Sequence, residues 1–350
     1  MTRARGLGRE LVQAAVLVAA AAATVLVLLV AFGHDPLVAA SVLFRAAFGT
    51  PGNFAVTLVK ATPLLVLGTA VAIAFRAAVW NVGADGQFLA GAIAATAVGV
   101  AAGPLPSLVA IPLVLAAAAA GGALAASPPA VLRLARGTPE VIGTIMMNFV
   151  IGFLLGYLLE EGPLREAAGT FPQSDPLAPS ARLPRFDEAS RLHAGLPVAI
   201  LLALAAHLFL SRTLGGLRHR AAGLNARAAE AAGIPVRRVA FLALLVSGSI
   251  AGLAGAIEVA AITRRLFTGF SGGIGYTAIA VALLGRLSIP AVAAAALFFG
   301  ALDVGAASLQ RAAHVPPTLA LVVQGTLLAL SALFAESGRR AARRRAEAAA

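Results

Sequence analysis

The sequence predicts an all-α integral membrane protein of about ten transmembrane helices. Three observations predict it: 60% of the 350 residues are apolar and only 12% charged, the mean hydropathy is +0.91, and apolar runs of bilayer-spanning length recur from end to end. A hydrocarbon core takes ~20 residues of helix, and backbone groups inside it must be paired within the protein. Lipid is therefore the solvent for most of this chain, which excludes an arrangement of soluble domains.

Taken in order, the candidate crossings are 11–32, 54–75, 86–100, 106–126, 141–159, 196–210, 239–262, 276–284, 289–309 and 318–334. The first follows Arg3, Arg5 and Arg9 as a secretory leader would. It exceeds the ~7–15 apolar residues of a leader and reads as an uncleaved span. Segment 36–48 is apolar but short and carries Arg45, which suits an interfacial helix on the outer face. The run 276–284 is too short to cross alone and is entered through Gly272, Gly273 and Gly275. It reads as a discontinuous helix whose irregular entry lies against protein or water.

With a cytoplasmic N-terminus, the inner side gathers Arg3, Arg5, Arg9, Arg76, Arg133, Arg136, the six arginines of 212–238, Arg286 and the five of 339–345, which is 18 of the 27 basic residues. The long outer loop 160–195 balances its arginines with Glu160, Glu161, Glu166, Asp175, Asp187 and Glu188. The positive-inside rule then puts both termini in the cytoplasm and makes the number of crossings even. The net charge of +12 is thus an orientation signal, with no nucleic-acid partner implied.

The absence of cysteine removes disulfides, thiolate metal sites and cysteine catalysis. His34, His193, His207, His219 and His314 are scattered without metal-ligand spacing. Lys60 is the sole lysine, so the chain carries no phosphate-binding Gly-Lys-Ser/Thr loop. An integral membrane enzyme would need clustered histidines or carboxylates near one face. An ion-coupled secondary transporter would need ionisable groups near the midplane, where only Glu258 and Asp303 qualify.

Glu258, in a run with Gly248, Gly252 and Gly255, is either a polar contact on a translocation route or a structural hydrogen-bonding group. Asn81, Gln87 and Asn148 are open between substrate contact and helix fastening. Gly83 and Gly86 precede one run much as Gly272, Gly273 and Gly275 precede another. By this topology the two glycine groups lie on opposite faces, as inverted repeats over 54–160 and 239–335 would produce, or they coincide by chance among 36 glycines.

Between crossings, Asn225 can cap a short helix to Ala232 that Gly233 and Pro235 terminate. Ala228, Ala229 and Ala232 would give that helix a small-residue surface for another protein's groove. The stretch Gly223-Leu224-Asn225-Ala226-Arg227-Ala228-Ala229-Glu230-Ala231-Ala232-Gly233-Ile234 resembles the coupling helix of ABC importer permeases, in the branch that includes branched-chain amino acid, ribose and nucleoside permeases. Three further stretches resemble nucleoside-type (guanosine or purine nucleoside) permeases of that branch. Asn81-Val82-Gly83-Ala84-Asp85-Gly86-Gln87 is similar to Asn-x-Gly-x-[Glu/Asp]-Gly-Gln, 137–148 to Gly-x-x-Glu-Val-Ile-x-Thr-Ile-Met-x-Asn, and 269–285 to Gly-Phe-Ser-x-Gly-x-Gly-x-x-x-Ile-Ala-Val-Ala-Leu-Leu-Gly. The matches cover about two thirds of the chain in order. Asp85 stands where the family often has Glu, Thr138-Pro139 replaces a more usual polar pair, and Gly143 replaces a frequent Thr.

The resemblance implies a single permease domain: 1–53 as an N-terminal span with an outer interfacial helix, 54–160 and 239–335 as repeats, 161–195 as an outer loop, 212–238 as a coupling loop and 336–350 as a basic cytoplasmic tail. It implies no catalysis and no cofactor on this chain, ATP and magnesium being used by a partner ATPase that docks on Gly223, Asn225, Ala228, Ala229 and Gly233. It further implies a second, different permease subunit and an extracytoplasmic substrate-binding lipoprotein or periplasmic protein. Membrane lipid and a bacterial cytoplasmic membrane complete the setting. Nucleosides are the cargo implied, with simple sugars or branched-chain amino acids as alternatives. Asn81, Gln87, Asn148 and Glu258 are the candidate pathway residues, and Gly83, Gly86, Gly272, Gly273 and Gly275 the glycines of the broken helices.

Overall fold

A computed structural model describes residues 35–313, together with the isolated helical positions Ala23, Val27, Val30, Val322, Gly325 and Thr326. The predicted crossings 11–32 and 318–334 and the tail 336–350 lie outside the described residues. In chain order the helices are α1 (Pro36–Phe48), α2 (Pro51–Arg76), α3 (Ala84–Ala101), α4 (Ser107–Arg136), α5 (Glu140–Glu160), α6 (Gly195–Arg212), α7 (Leu214–Leu224), α8 (Ala226–Ala231), α9 (Val236–Ile257), α10 (Ile274–Leu284) and α11 (Ile289–Ala313). Seven of these, α9 being counted with the turn that follows it, are long and apolar enough to cross a membrane, while α1 and α10 are shorter apolar helices. Residues 55–300 form one unit; α1 and the end of α11 belong to a second.

In the first unit α2 is apolar on every side and buried through 89% of its apolar stretch, as a helix enclosed by others must be. Beside it, α3, α4 and α9 meet along glycines instead of side chains. A Cβ on Gly122 would strike the Gly248 carbonyl, and one on Gly252 the Ala118 carbonyl. One on Gly255 would strike the Phe88 carbonyl. Such backbone approach is how helices gain dispersion contact where lipid removes the hydrophobic drive. α5 and α6 instead show outward faces of large apolar side chains, Phe149, Phe153 and Tyr157 on α5 and Leu201 on α6 among them.

The sequence ends the fourth crossing at 126, yet α4 runs unbroken through Ser127, Pro128 and Pro129 to Arg136. The Ser127 hydroxyl donates to the Leu124 carbonyl at 2.8 Å, replacing the hydrogen bond that Pro128 cannot make. A left-handed Gly137, φ 67°, then stops the helix, its N–H donating to the Arg133 carbonyl at 2.9 Å.

Residues 161–194 are a built cap with a two-stranded hairpin, β1 (Arg185–Asp187) and β2 (Leu192–His193), a small departure from an all-α chain. The cap grips the end of α9, which widens into a π turn over Glu258–Thr263. Leu183 N–H donates to the Ala260 carbonyl at 3.1 Å, and the Arg185 guanidinium donates to the carbonyls of Ala261 at 2.7 Å and Ile262 at 3.0 Å. Further along, Leu177 N–H donates to the Arg264 carbonyl at 2.9 Å, and Arg265 pairs with Glu166 at 2.7 Å.

Two tests follow from these contacts. Replacing Gly252 with Ala forces α4 and α9 apart at a carbonyl and should cost about 1–3 kcal/mol, whereas Gly152→Ala, which meets nothing within 4 Å, should be neutral in thermal unfolding of the micellar protein. In the cap, burial and the nearby Arg185 hold the His193 imidazole at a pKa of about 4, and its Nδ1 accepts the Gly195 N–H at 3.0 Å. The folded cap therefore binds this proton later than the unfolded chain does. Its stability is complete above pH ~6.5 and falls as the pH is lowered toward 4. Amide protection factors across 183–195, corrected for the fall of intrinsic exchange with pH, should decrease over that interval, and unchanged protection factors would contradict the assignment.

Candidate functional site

The chain leaves α2 at Arg76 and doubles back through 77–83 before α3 begins. Its backbone N–H groups here lie inside the helical layer, so each needs a partner from the protein. One stripe of α5 supplies several of them. Glu140, Thr144 and Asn148 are spaced by four and share one helix face. Glu140 Oε1 accepts the Trp80 N–H at 2.7 Å, Thr144 Oγ1 the Val82 N–H at 3.3 Å, and Asn148 Oδ1 the Gly86 N–H at 2.8 Å. The Asn148 amide also donates to the Val82 carbonyl at 3.0 Å. Arg133 pairs with Glu140 and fixes the first member of the stripe.

Asn81 and Gln87 close the turn from within. Asn81 Nδ2 donates to Gln87 Oε1 at 2.8 Å and to Ser247 Oγ at 2.9 Å, while Asn81 Oδ1 accepts from Gln87 Nε2 and from the Gly83 N–H, each at 3.0 Å. Ser247 in turn donates to the Ala70 carbonyl at 2.7 Å, tying α9 to α2. Asn81 is 0% and Gln87 2% exposed, so both side chains work inside the protein. Gly83 and Gly86 permit this closeness, since a Cβ on either would press on Thr144 or Asn148.

The second broken helix joins the same place. α10 has 11 residues, about 16 Å of helix and half a hydrocarbon core. Left-handed Gly272 and Gly273, φ 53° and 80°, lead into it. Asp85, in the first turn of α3, accepts the Gly275 N–H at 2.9 Å with Oδ1 and the Ser271 hydroxyl at 2.9 Å with Oδ2. One carboxylate in the first turn of α3 therefore satisfies the start of α10, and the dipoles of both helices favour its negative charge. Tyr276 adds a hydroxyl accepting from Asn148 Nδ2 at 3.0 Å, and Phe270 stacks on Phe88 with ring centres 5.4 Å apart.

The Asp85–Gly275 contact thus brings together the two glycine groups that the sequence-derived topology sets on opposite membrane faces. Sequence reasoning singled out the glycines, Asn81, Gln87 and Asn148 but passed over Asp85, Ser247, Ser271 and Tyr276 as members. An acidic residue in a first turn beside glycines was the available signal for Asp85.

Glu258 lies apart from the junction. Half-buried at the start of the π turn, it is acted on electrostatically by the exposed Lys60 of α2. π turns of this kind recur at functional positions.

At the other end of α2, α7 and α8 form the connection between α6 and α9. The Asn225 carboxamide accepts the Ala228 N–H at 3.1 Å and caps α8. Left-handed Gly233, φ 77°, ends α8 with Ile234 N–H donating to the Ala229 carbonyl at 2.9 Å. Gly223 lies on the Arg76 carbonyl, where no Cβ would fit. The His219 ring meets the Ile73 carbonyl at 2.7 Å, and burial lowers its pKa from the ordinary value. Ala229 is turned inward and buried, against the expectation that it lies on the outer surface of this helix; Ala228 and Ala232 are exposed.

Comparison with known proteins bears on this arrangement. The family model described as the permease component of the branched-chain amino acid transport system matches residues 53–332, a span that includes the whole junction. The chain belongs to this family. It is a membrane transport component and not an enzyme. The permease is 36% identical to the glucose ABC transporter permease protein TsgB13 of Haloferax volcanii over 86% of this chain and 82% of the relative. It is 34% identical to the guanosine ABC transporter permease protein NupP of Bacillus subtilis over 90% of each. It is also 30% identical to the nucleoside ABC transporter permease protein NupB of Lactococcus lactis, over 86% of this chain and 85% of the relative. No solved structure gives a significant match.

The junction yields a graded test. Asp85→Ala leaves a buried N–H without a partner and should cost about 1–3 kcal/mol in thermal unfolding together with transport. Asp85→Asn keeps an oxygen for Gly275 while the Ser271 hydroxyl rotates to accept, so it should stay within about 1 kcal/mol of the parent. Equal losses for both would show that charge, not hydrogen bonding, holds the junction.

Proposed function

We propose that this permease carries nucleosides inward across a bacterial cytoplasmic membrane, driven by ATP that a partner ATPase hydrolyses with magnesium. One observation carries the reading: the three stretches that resemble nucleoside-type permeases, 81–87, 137–148 and 269–285, are the segments that interlock at the junction. Two of the three relatives above are named for guanosine or nucleoside transport. Glucose is the second reading, because the relative from Haloferax volcanii is named for it.

The reading extends to topology. The seven long helices, α10 with its glycine-rich entry, and the sequence-defined runs 11–32 and 318–334 give ten crossings with both termini cytoplasmic. The Arg76 guanidinium donating to the Leu287 carbonyl at 2.7 Å supports this count, because it sets the α10–α11 turn beside the end of α2. Asn81, Gln87 and Asn148 act as fasteners of the broken segment, their polar atoms being used within the protein. Glu258 remains the candidate pathway contact. Ala228, Asn225, Gly223 and Gly233 form the ATPase docking element, with Ala228 as its exposed face. A second, different permease subunit and an extracytoplasmic substrate-binding protein complete the importer.

Proteoliposomes holding the permease with its co-purified partners should take up labelled guanosine only with ATP. Ala228→Arg should lower uptake at least tenfold while leaving the thermal stability of the permease unchanged. Uptake of glucose in place of guanosine would keep the transport mechanism and replace the cargo; uptake without ATP would overturn the reading.

A further inference from the structure

A cavity of about 290 Å³ opens at the arginine-rich end of α4, α5 and α9, where it shares Glu140 with the outer edge of the junction. Arg133 and Leu134 of α4, the Gly137–Glu140 turn, and Arg237 and Phe241 of α9 line it. Its electrostatics are lopsided. The one carboxylate in the wall, Glu140, is already engaged by Arg133 and by the Trp80 N–H, and among the described residues Arg237 has neither ion pair nor hydrogen bond. Arg136 and Arg238 stand exposed on the adjoining helix turns. α5 and α9 both begin here after a proline, Pro139 and Pro235, and neither start is capped by a side chain, so their first-turn amides add positive potential.

We propose that this cavity seats the phosphate headgroup of an anionic phospholipid. The volume admits a phosphate ester with its glycerol but not two acyl chains. Apolar side chains take over outside it: Val131 on α4 and Leu242 and Val246 on α9 are exposed, a surface suited to lipid tails and of no use to a free anion. Basic pockets between membrane helices recognise anionic headgroups in this way. The site lies where Pro235 and Val236 connect α8 to α9, so an occupied headgroup clamps α4 and α9 at the base of the loop proposed to meet the ATPase. The lipid site does not depend on that role or on the cargo.

The test is native mass spectrometry of the full chain equilibrated with phosphatidylglycerol, with phosphatidylcholine, or with inorganic phosphate. Phosphatidylglycerol should be retained over phosphatidylcholine, and Arg237→Gln should cut its retention about fivefold, the scale expected for one arginine at an anionic surface. Arg218→Gln, at an exposed position on α7, should not. Because Arg237 holds no internal partner, its removal leaves the fold intact, which the fluorescence of the lone tryptophan, Trp80, verifies. Three results would each overturn the proposal: full retention by Arg237→Gln, equal losses with Arg218→Gln, or displacement of the lipid by inorganic phosphate.

Discussion

A helix that starts inside an apolar layer exposes N–H groups that no lipid can satisfy, at several kcal/mol each. This permease has two such starts and brings them together. Asp85, from the first turn of α3, satisfies the start of α10, and Asn148 satisfies the Gly86 N–H of α3 and bridges it to Tyr276. The spacing of Glu140, Thr144 and Asn148 follows from the same need, since a stripe with a period of four on a straight helix can hydrogen-bond a returning strand of chain at successive rungs. Three sequence motifs that look independent are thus parts of one hydrogen-bonded joint.

The joint is connected to the loop between α6 and α9 through α2. His219 and Gly223 seat on the last turn of α2, at Ile73 and Arg76, and one turn earlier the Ala70 carbonyl receives Ser247, which in turn holds Asn81. Every link is a hydrogen bond or a contact with backbone, so little side-chain freedom intervenes between α8 and the broken segment. Under the proposed role of α8, displacement there reaches the start of α3 through one buried helix.

Much of this was legible in the sequence, and the parts that were not share a cause. Length and apolarity delimit α2, α3, α5, α6, α9 and α11 because lipid imposes both on every crossing. The glycine groups and the Asn225 cap were visible because local backbone geometry dictates the residue type. That the glycine groups meet was hidden, because hydropathy assigns a segment to a face without showing how deeply its turn penetrates. Asp85 was overlooked for the same reason: its partners, Ser271 and Gly275, are nearly two hundred residues away in sequence. The run of α4 through Pro128 and Pro129 depended on a side-chain substitution for a backbone bond, which no window average registers. Ala229 shows the limit for a helix of 6 residues, too short for periodicity to tell its inner face from its outer one.

The cap and the π turn are equally interdependent. By widening at Glu258, the helix leaves carbonyls at Ala260, Ala261 and Ile262, and Leu183 and Arg185 sheathe them. Loop and helix ending therefore depend on each other: a shortened loop would leave these carbonyls without donors. For engineering, an epitope belongs at the exposed hairpin tip after Ala189, sparing Glu188, which pairs with Arg185 at 3.0 Å, whereas an insertion between Leu183 and Arg185 would unsheathe the helix end.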